Sequence, residues 1–95
     1  MLNDFEHIDQ KYSFSNAISW QVADNIFIIQ HEINNQLYAF DQVAFEICHA
    51  LMVHGEGVIS VINKLSIKYE IPKEVIRDDV LQFLNSMVEK GLMYV

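Results

Sequence analysis

Glu46 and His49 stand three residues apart in a stretch of helical period, so one helix face would carry both. Such an E-x-x-H pair is one element of a di-metal carboxylate centre, which needs a second copy and further carboxylates on neighbouring helices. The sequence holds no second copy. His7, His31, His49 and His54 show no paired ligand spacing, which argues against structural zinc and leaves them as surface or partly buried residues. Cys48 falls on the apolar stripe of the same helix, where a small buried hydrophobe is the simpler reading. A nucleophilic cysteine is exposed and close to a base, and the neighbouring His49 points about 100° away around a helix. Asp78–Asp79 is the only adjacent acid pair, and the two side chains diverge on a helix, so they cannot act as general acid and base partners. Asp78 reads as dipole complementation at a solvated helix start; Asp79 borders the apolar face. The segment HGEG (His54–Gly57) has two glycines but follows a helix rather than a strand, the setting of a helix end and not of a phosphate loop. The expectation is a protein with no catalytic residues, no metal and no cofactor.

The totals narrow the classes further. Ninety-five residues bound one small domain, and 52% apolar residues with 12% aromatics argue against disorder. One cysteine cannot form an intramolecular disulfide, and no stretch approaches the roughly 18 apolar residues of a membrane span. The N-terminus MLNDFEHIDQK lacks an apolar h-region, so a cytoplasmic protein is expected. Net charge −7, with Lys64, Lys68, Lys73, Arg77 and Lys90 interleaved with acids, opposes binding to phosphate backbones and anionic lipid.

The elements follow from period and punctuation. Residues 1–16 read as a flexible arm, with a short docked piece near Tyr12–Phe14, and residues 17–95 as the domain. Ile18, Trp20 and Val22 alternate with Ser19, Gln21 and Ala23, the period of a half-buried strand. Asp24–Asn25 tolerates the positive φ of a tight hairpin turn, and Ile26–Gln30 is a second, β-branched and aromatic strand. Asn34–Asn35 marks the next turn and Gln36–Phe40 a third strand. The period then changes to 3.6. Asp41 is an N-cap, and Ala44, Ile47, Cys48 and Leu51 form a stripe running to about Val53. Val58, Val61, Ile62 and Leu65 mark a second helix ending near Tyr69. The third, Ile71–Val95, has Pro72 in its first turn, Gly91 as C′ residue, and a face of Ile76, Val80, Phe83, Leu84, Met87 and Val88, followed by a short apolar tail. The order β-β-β-α-α-α specifies an α+β domain, a three-stranded antiparallel sheet followed by three helices.

The third strand draws attention because one outer strand of a meander is exposed unless something covers it. Gln36–Phe40 is short and contains neither proline nor lysine, the residues that blunt an edge. A helix or the N-terminal arm could cover it. Left open, it would accept an extended peptide as an added strand.

Three segments carry a family resemblance. LYAFDQVAFEICHAL (Leu37–Leu51) is similar to a strand-to-helix passage of tyrosine, apolar residue, Asn or Asp, then apolar helix. VISVINKLSIKYEIP (Val58–Pro72) matches the second helix, and DVLQFLNSMVEKGLM (Asp79–Met93) the ending Asp-Val-x-x-Phe-Leu-x-x-Leu-x-x-x-Gly-Leu. Over roughly Ala17–Val95 the chain resembles the PqqD-like proteins, or RiPP recognition elements. Cys48 replaces a frequent tryptophan, and Phe40 and Met87 replace leucines.

The resemblance implies a winged-helix-like domain that binds the leader of a ribosomally made precursor peptide between the third strand and the third helix. Carried onto this chain, the strand side is Gln36, Leu37, Tyr38, Ala39 and Phe40, and the helix side Asp79, Gln82, Phe83 and Ser86. Alternation separates Leu37 and Ala39 from Tyr38 and Phe40 and leaves open which pair faces inward. The expected partners are a precursor leader peptide and a modifying enzyme or leader protease, in a lasso-peptide or radical-SAM type pathway. An unpaired edge also offers a route to a homodimer. A winged-helix DNA-binding regulator is the alternative reading of the same elements, disfavoured by the charge.

Overall fold

The computed structural model describes residues 12–52 and 54–94. Within them the order is β1 (Ser13–Phe14), β2 (Ile18–Ala23), β3 (Ile26–His31), β4 (Leu37–Phe40), α1 (Gln42–Met52), α2 (Val58–Tyr69), α3 (Lys73–Glu89) and β5 (Met93–Tyr94). Strands β2, β3 and β4 form an antiparallel sheet in that order, and three helices follow, the α+β architecture expected from the period changes.

Local chemistry fixes the connections. Asp24 and Asn25 take φ of 51° and 66°, the two left-handed residues of a type I′ turn, and set the register Ala23↔Ile26 through Ile18↔His31. Asn35, at φ 60°, turns the chain into β4, and the Asn34 carboxamide accepts the Gln36 N–H at 3.0 Å. Asp41 caps α1 by accepting the Ala44 N–H at 3.0 Å. Glu70 ends α2 in the left-handed region at φ 54°, with no glycine to ease it. Gly91, at φ 75°, ends α3 in a Schellman motif: its N–H donates to the Val88 carbonyl at 3.0 Å and the Leu92 N–H to the Met87 carbonyl at 2.9 Å. Leu92 and Met87 are both fully buried, the hydrophobic contact that accompanies this motif.

The core lies between the sheet and the helices. Phe27 and Ile29 enter it from β3, Ile47, Cys48 and Leu51 from α1, Val58, Val61, Ile62 and Leu65 from α2, and Ile76, Val80, Leu84 and Met87 from α3. Burying a side chain of this size is worth about 1.5–3 kcal/mol, so this cluster is the main driving force for the fold.

Three expectations need correction. Pro72 is the N-cap of α3, extended at ψ 143°, and the helix begins at Lys73. The third strand of the meander starts at Leu37, which leaves Gln36 in the preceding turn. The apolar tail is a strand: β5 pairs with β1 in a small second sheet, Ser13↔Tyr94 and Phe14↔Met93. Tyr12 and Phe14 pack against the core. The rest of the expected arm, residues 1–11, lies outside the described residues, as does Val53.

Candidate functional site

The two faces and the free edge of β4 can now be assigned. Its burial alternates, with Tyr38 and Phe40 half-buried against the core and Leu37 and Ala39 exposed. Tyr38 and Phe40 therefore face inward, beside Ile29 and Phe27 of β3, and Leu37 and Ala39 lie on the outer face beside Gln30 and Ile28. The main chain follows the complementary rule. The His31 N–H donates to the Gln36 carbonyl at 2.9 Å, so Gln36, Tyr38 and Phe40 turn their backbone groups toward β3. The N–H and C=O groups of Leu37 and Ala39 point the other way, along an edge that pairs with no strand among the described residues.

Opposite that edge stands α3. The rings of Phe40 and Phe83 meet edge to face, with centroids 5.6 Å apart and planes at 88°. Such a pair is worth about 0.5–1.5 kcal/mol beyond its buried area. It joins strand to helix. Asp79 and Gln82 are exposed on the helix flank. Ser86 is half-buried and its hydroxyl accepts a hydrogen bond from the Lys90 ammonium. An open concavity of about 740 Å³ runs along α3, lined by Asp78, Leu81, Gln82, Asn85, Ser86 and Glu89 of that helix and by no residue of β4, nor by Asp79 or Phe83.

The structure thus brings Phe40 and Phe83 into contact, and sets Gln82 and Ser86 on one wall. Leu37 and Ala39 reach the edge through backbone groups only, their side chains being on the other sheet face. Gln36 lies in the turn, where its side-chain carbonyl accepts the Tyr38 hydroxyl at 2.5 Å. Asn85 and Glu89 did not stand out in the sequence, although Asp78, Gln82, Asn85 and Glu89 follow an i, i+4, i+7, i+11 row. That row is polar and acidic, with Arg77 beside Asp78 at 3.3 Å.

Other charged pairs tie α2 to α1 and to the connection between them. Lys64 pairs with Glu56 at 2.5 Å and holds its carboxyl below the usual range, with a second hydrogen bond from Ser60. Lys68 pairs with Glu46, which raises the lysine above its ordinary value, and Tyr69 donates to the same carboxylate at 3.1 Å. Glu46 is thereby engaged, and the E-x-x-H pair gathers no further ligands: no group of three His, Cys, Asp or Glu side chains that could hold a metal occurs among the described residues. No helix among them is long and apolar enough to cross a membrane.

Two solved structures share the fold. One, described as "TbiB1 in Complex with the TbiA(beta) Leader Peptide", has 19% identity and a TM-score of 0.77, covering 90% of this chain and 99% of that one. The other, "Lasso peptide synthetase B1 complexed with the leader peptide", has 17% identity and a TM-score of 0.84, covering 90% and 100%. Curated proteins give no match. The family model for "Coenzyme PQQ synthesis protein D (PqqD)" matches residues 27–93, a span that holds nearly all of β3, with β4 and all three helices. With most of its length inside the match, the chain belongs to the PqqD family.

Proposed function

We propose that this chain is a non-catalytic module that binds the leader segment of a ribosomally synthesised precursor peptide. The leader adds as a strand to β4, bonds the outward groups of Leu37 and Ala39, and lays apolar side chains on Phe40 and Phe83. Asp79, Gln82 and Ser86 contact its polar positions from α3. The observation that carries this reading is the β4 edge, unpaired among the described residues, with the Phe40–Phe83 contact beside it. Two structures of the same fold, both described as leader-peptide complexes, support it. The bound leader would hold the rest of the precursor near a modifying enzyme or leader protease, of a lasso-peptide or radical-SAM type pathway, at an effective concentration on the order of millimolar.

Main-chain hydrogen bonds supply affinity in this mode and side-chain pockets supply selectivity. Ordering a free leader costs a few kcal/mol, so binding of roughly −8 to −10 kcal/mol is expected. Calorimetric titration with a 15–25-residue peptide from the leader encoded beside this gene tests the proposal. Saturable 1:1 binding is the expected result, and no heat at high micromolar peptide would overturn it.

A further inference from the structure

The sheet has a second edge unpaired among the described residues, β2. Among the described residues β2 pairs with β3 alone. All six of its residues, ISWQVA, are uncharged, and none is proline. The Glu32 N–H donates to the Ala17 carbonyl at 2.7 Å, so Ala17, Ser19, Gln21 and Ala23 turn their backbone groups toward β3. Ile18, Trp20 and Val22 therefore point theirs outward. Their side chains lie on the core face of the sheet, yet Trp20 and Val22 remain 45% and 46% exposed. Trp20 packs on Phe27 and Phe45, and an apolar hollow of about 100 Å³ opens beside it, lined also by Phe14, Cys48 and Met52.

We propose that β2 is a self-association edge, on which two copies of the chain pair antiparallel about a two-fold axis at Trp20. The outward residues are three, evenly spaced and centred on Trp20. In this register Ile18 meets Val22 of the second copy, Trp20 meets Trp20, and every outward N–H and C=O of the three finds a partner. Their side chains fall opposite one another on the core face, so the contact is an apolar ladder; on the outer face Ser19 meets Gln21. Asp24 falls opposite Asn16, so no two carboxylates meet across the strands despite the net charge of −7. In this register the helices of both copies lie on one side of the joined sheet. The two β3 strands would lie three strand spacings apart, roughly 14 Å, and helices beneath them need about 8–10 Å. The Trp20 pair fills the remaining gap. The product is a six-stranded sheet with a β4 edge at each end, so both grooves stay open. Residues 13–23 lie outside the span matched by the family model, and β2 lies at the opposite edge of the sheet from the proposed leader site.

Trp20 is the only tryptophan and reports on the contact directly. A dilution series followed by sedimentation velocity and tryptophan emission should show mass doubling as concentration rises into the high micromolar range, with emission moving to shorter wavelength in step. Val22→Lys, at an exposed position, should weaken the dimer at least tenfold while circular dichroism stays native. Val22→Pro removes an outward N–H and no β2–β3 bond, and should do the same. Ala39→Pro on the β4 edge should leave the dimer intact, and saturating leader peptide should not dissociate it. A wild-type chain that stays monomeric to millimolar concentration overturns the proposal. So does a dimer that survives both Val22 substitutions, or one that Ala39→Pro or leader peptide abolishes. Should neither Val22 variant fold, the wild-type dilution series and its emission shift decide alone.

Discussion

The Cys48 thiol lies 1% exposed at the hollow shared with Trp20 and Phe45, and burial pushes it up to about 12 from an ordinary 9.0. The thiolate is the reactive form, so the folded protein should resist iodoacetamide at pH 8, and one site should label only after denaturant is added; mass spectrometry reads both. The folded thiol also keeps its proton where the unfolded one loses it. Stability is therefore full below pH 9.0 and declines as pH rises toward about 12. The apolar stripe of the sequence had already put Cys48 inside. His49 and His54 are a different case: they lie five residues apart in sequence, yet their rings meet edge to face with centroids 4.8 Å apart, because the HGEG turn folds back on α1. No linear spacing rule anticipates that contact.

At the scale of elements, β4 carries the most direct test of strand addition. The Ala39 N–H faces the free edge, so Ala39→Pro deletes a groove donor without removing a β3–β4 bond. Losing one main-chain bond costs about 1 kcal/mol, so leader affinity should fall at least fivefold, measured by calorimetry, with circular dichroism unchanged. The groove was legible in part. Period and turn residues marked β4, and the family resemblance set it across from a flank of the third helix, but all four residues of LYAF are apolar, so alternation could not say which pair faces inward. Only packing against Phe83 and the core decides it. The α3 terminus gives a stability test. Gly91→Ala would set its Cβ 3.7 Å from the His31 ring, an ordinary contact, so the cost comes from φ 75° and should be about 1 kcal/mol by chemical denaturation. Glycine at C′ was readable from sequence; the left-handed Glu70 was not, because nothing in its residue type requires that conformation.

For the molecule as a whole, charge is the distinctive term. Lys64, Lys68 and Arg77 are each engaged with a carboxylate, which leaves the acidic surplus largely uncompensated. Self-repulsion weakens when salt shortens the Debye length from about 30 Å at 0.01 M to about 8 Å at 0.15 M. The thermal midpoint should therefore rise by a few degrees over that range in a differential scan, the reverse of what loss of surface ion pairs alone would give. The overall α+β order was legible because each helix and each long strand spans several repeats of its period. The second sheet was not: two-residue strands have no period, and Ser13–Phe14 pairs with Met93–Tyr94 from the far end of the described chain. That small sheet also governs how the protein answers a pull. Ser13 pairs with Tyr94, so tension on the two ends of the chain meets the ladder at the same end. The bridges then open one after another, like a zip, instead of resisting together in shear. The clasp yields at low force while the larger sheet and the helices behind it are still unloaded.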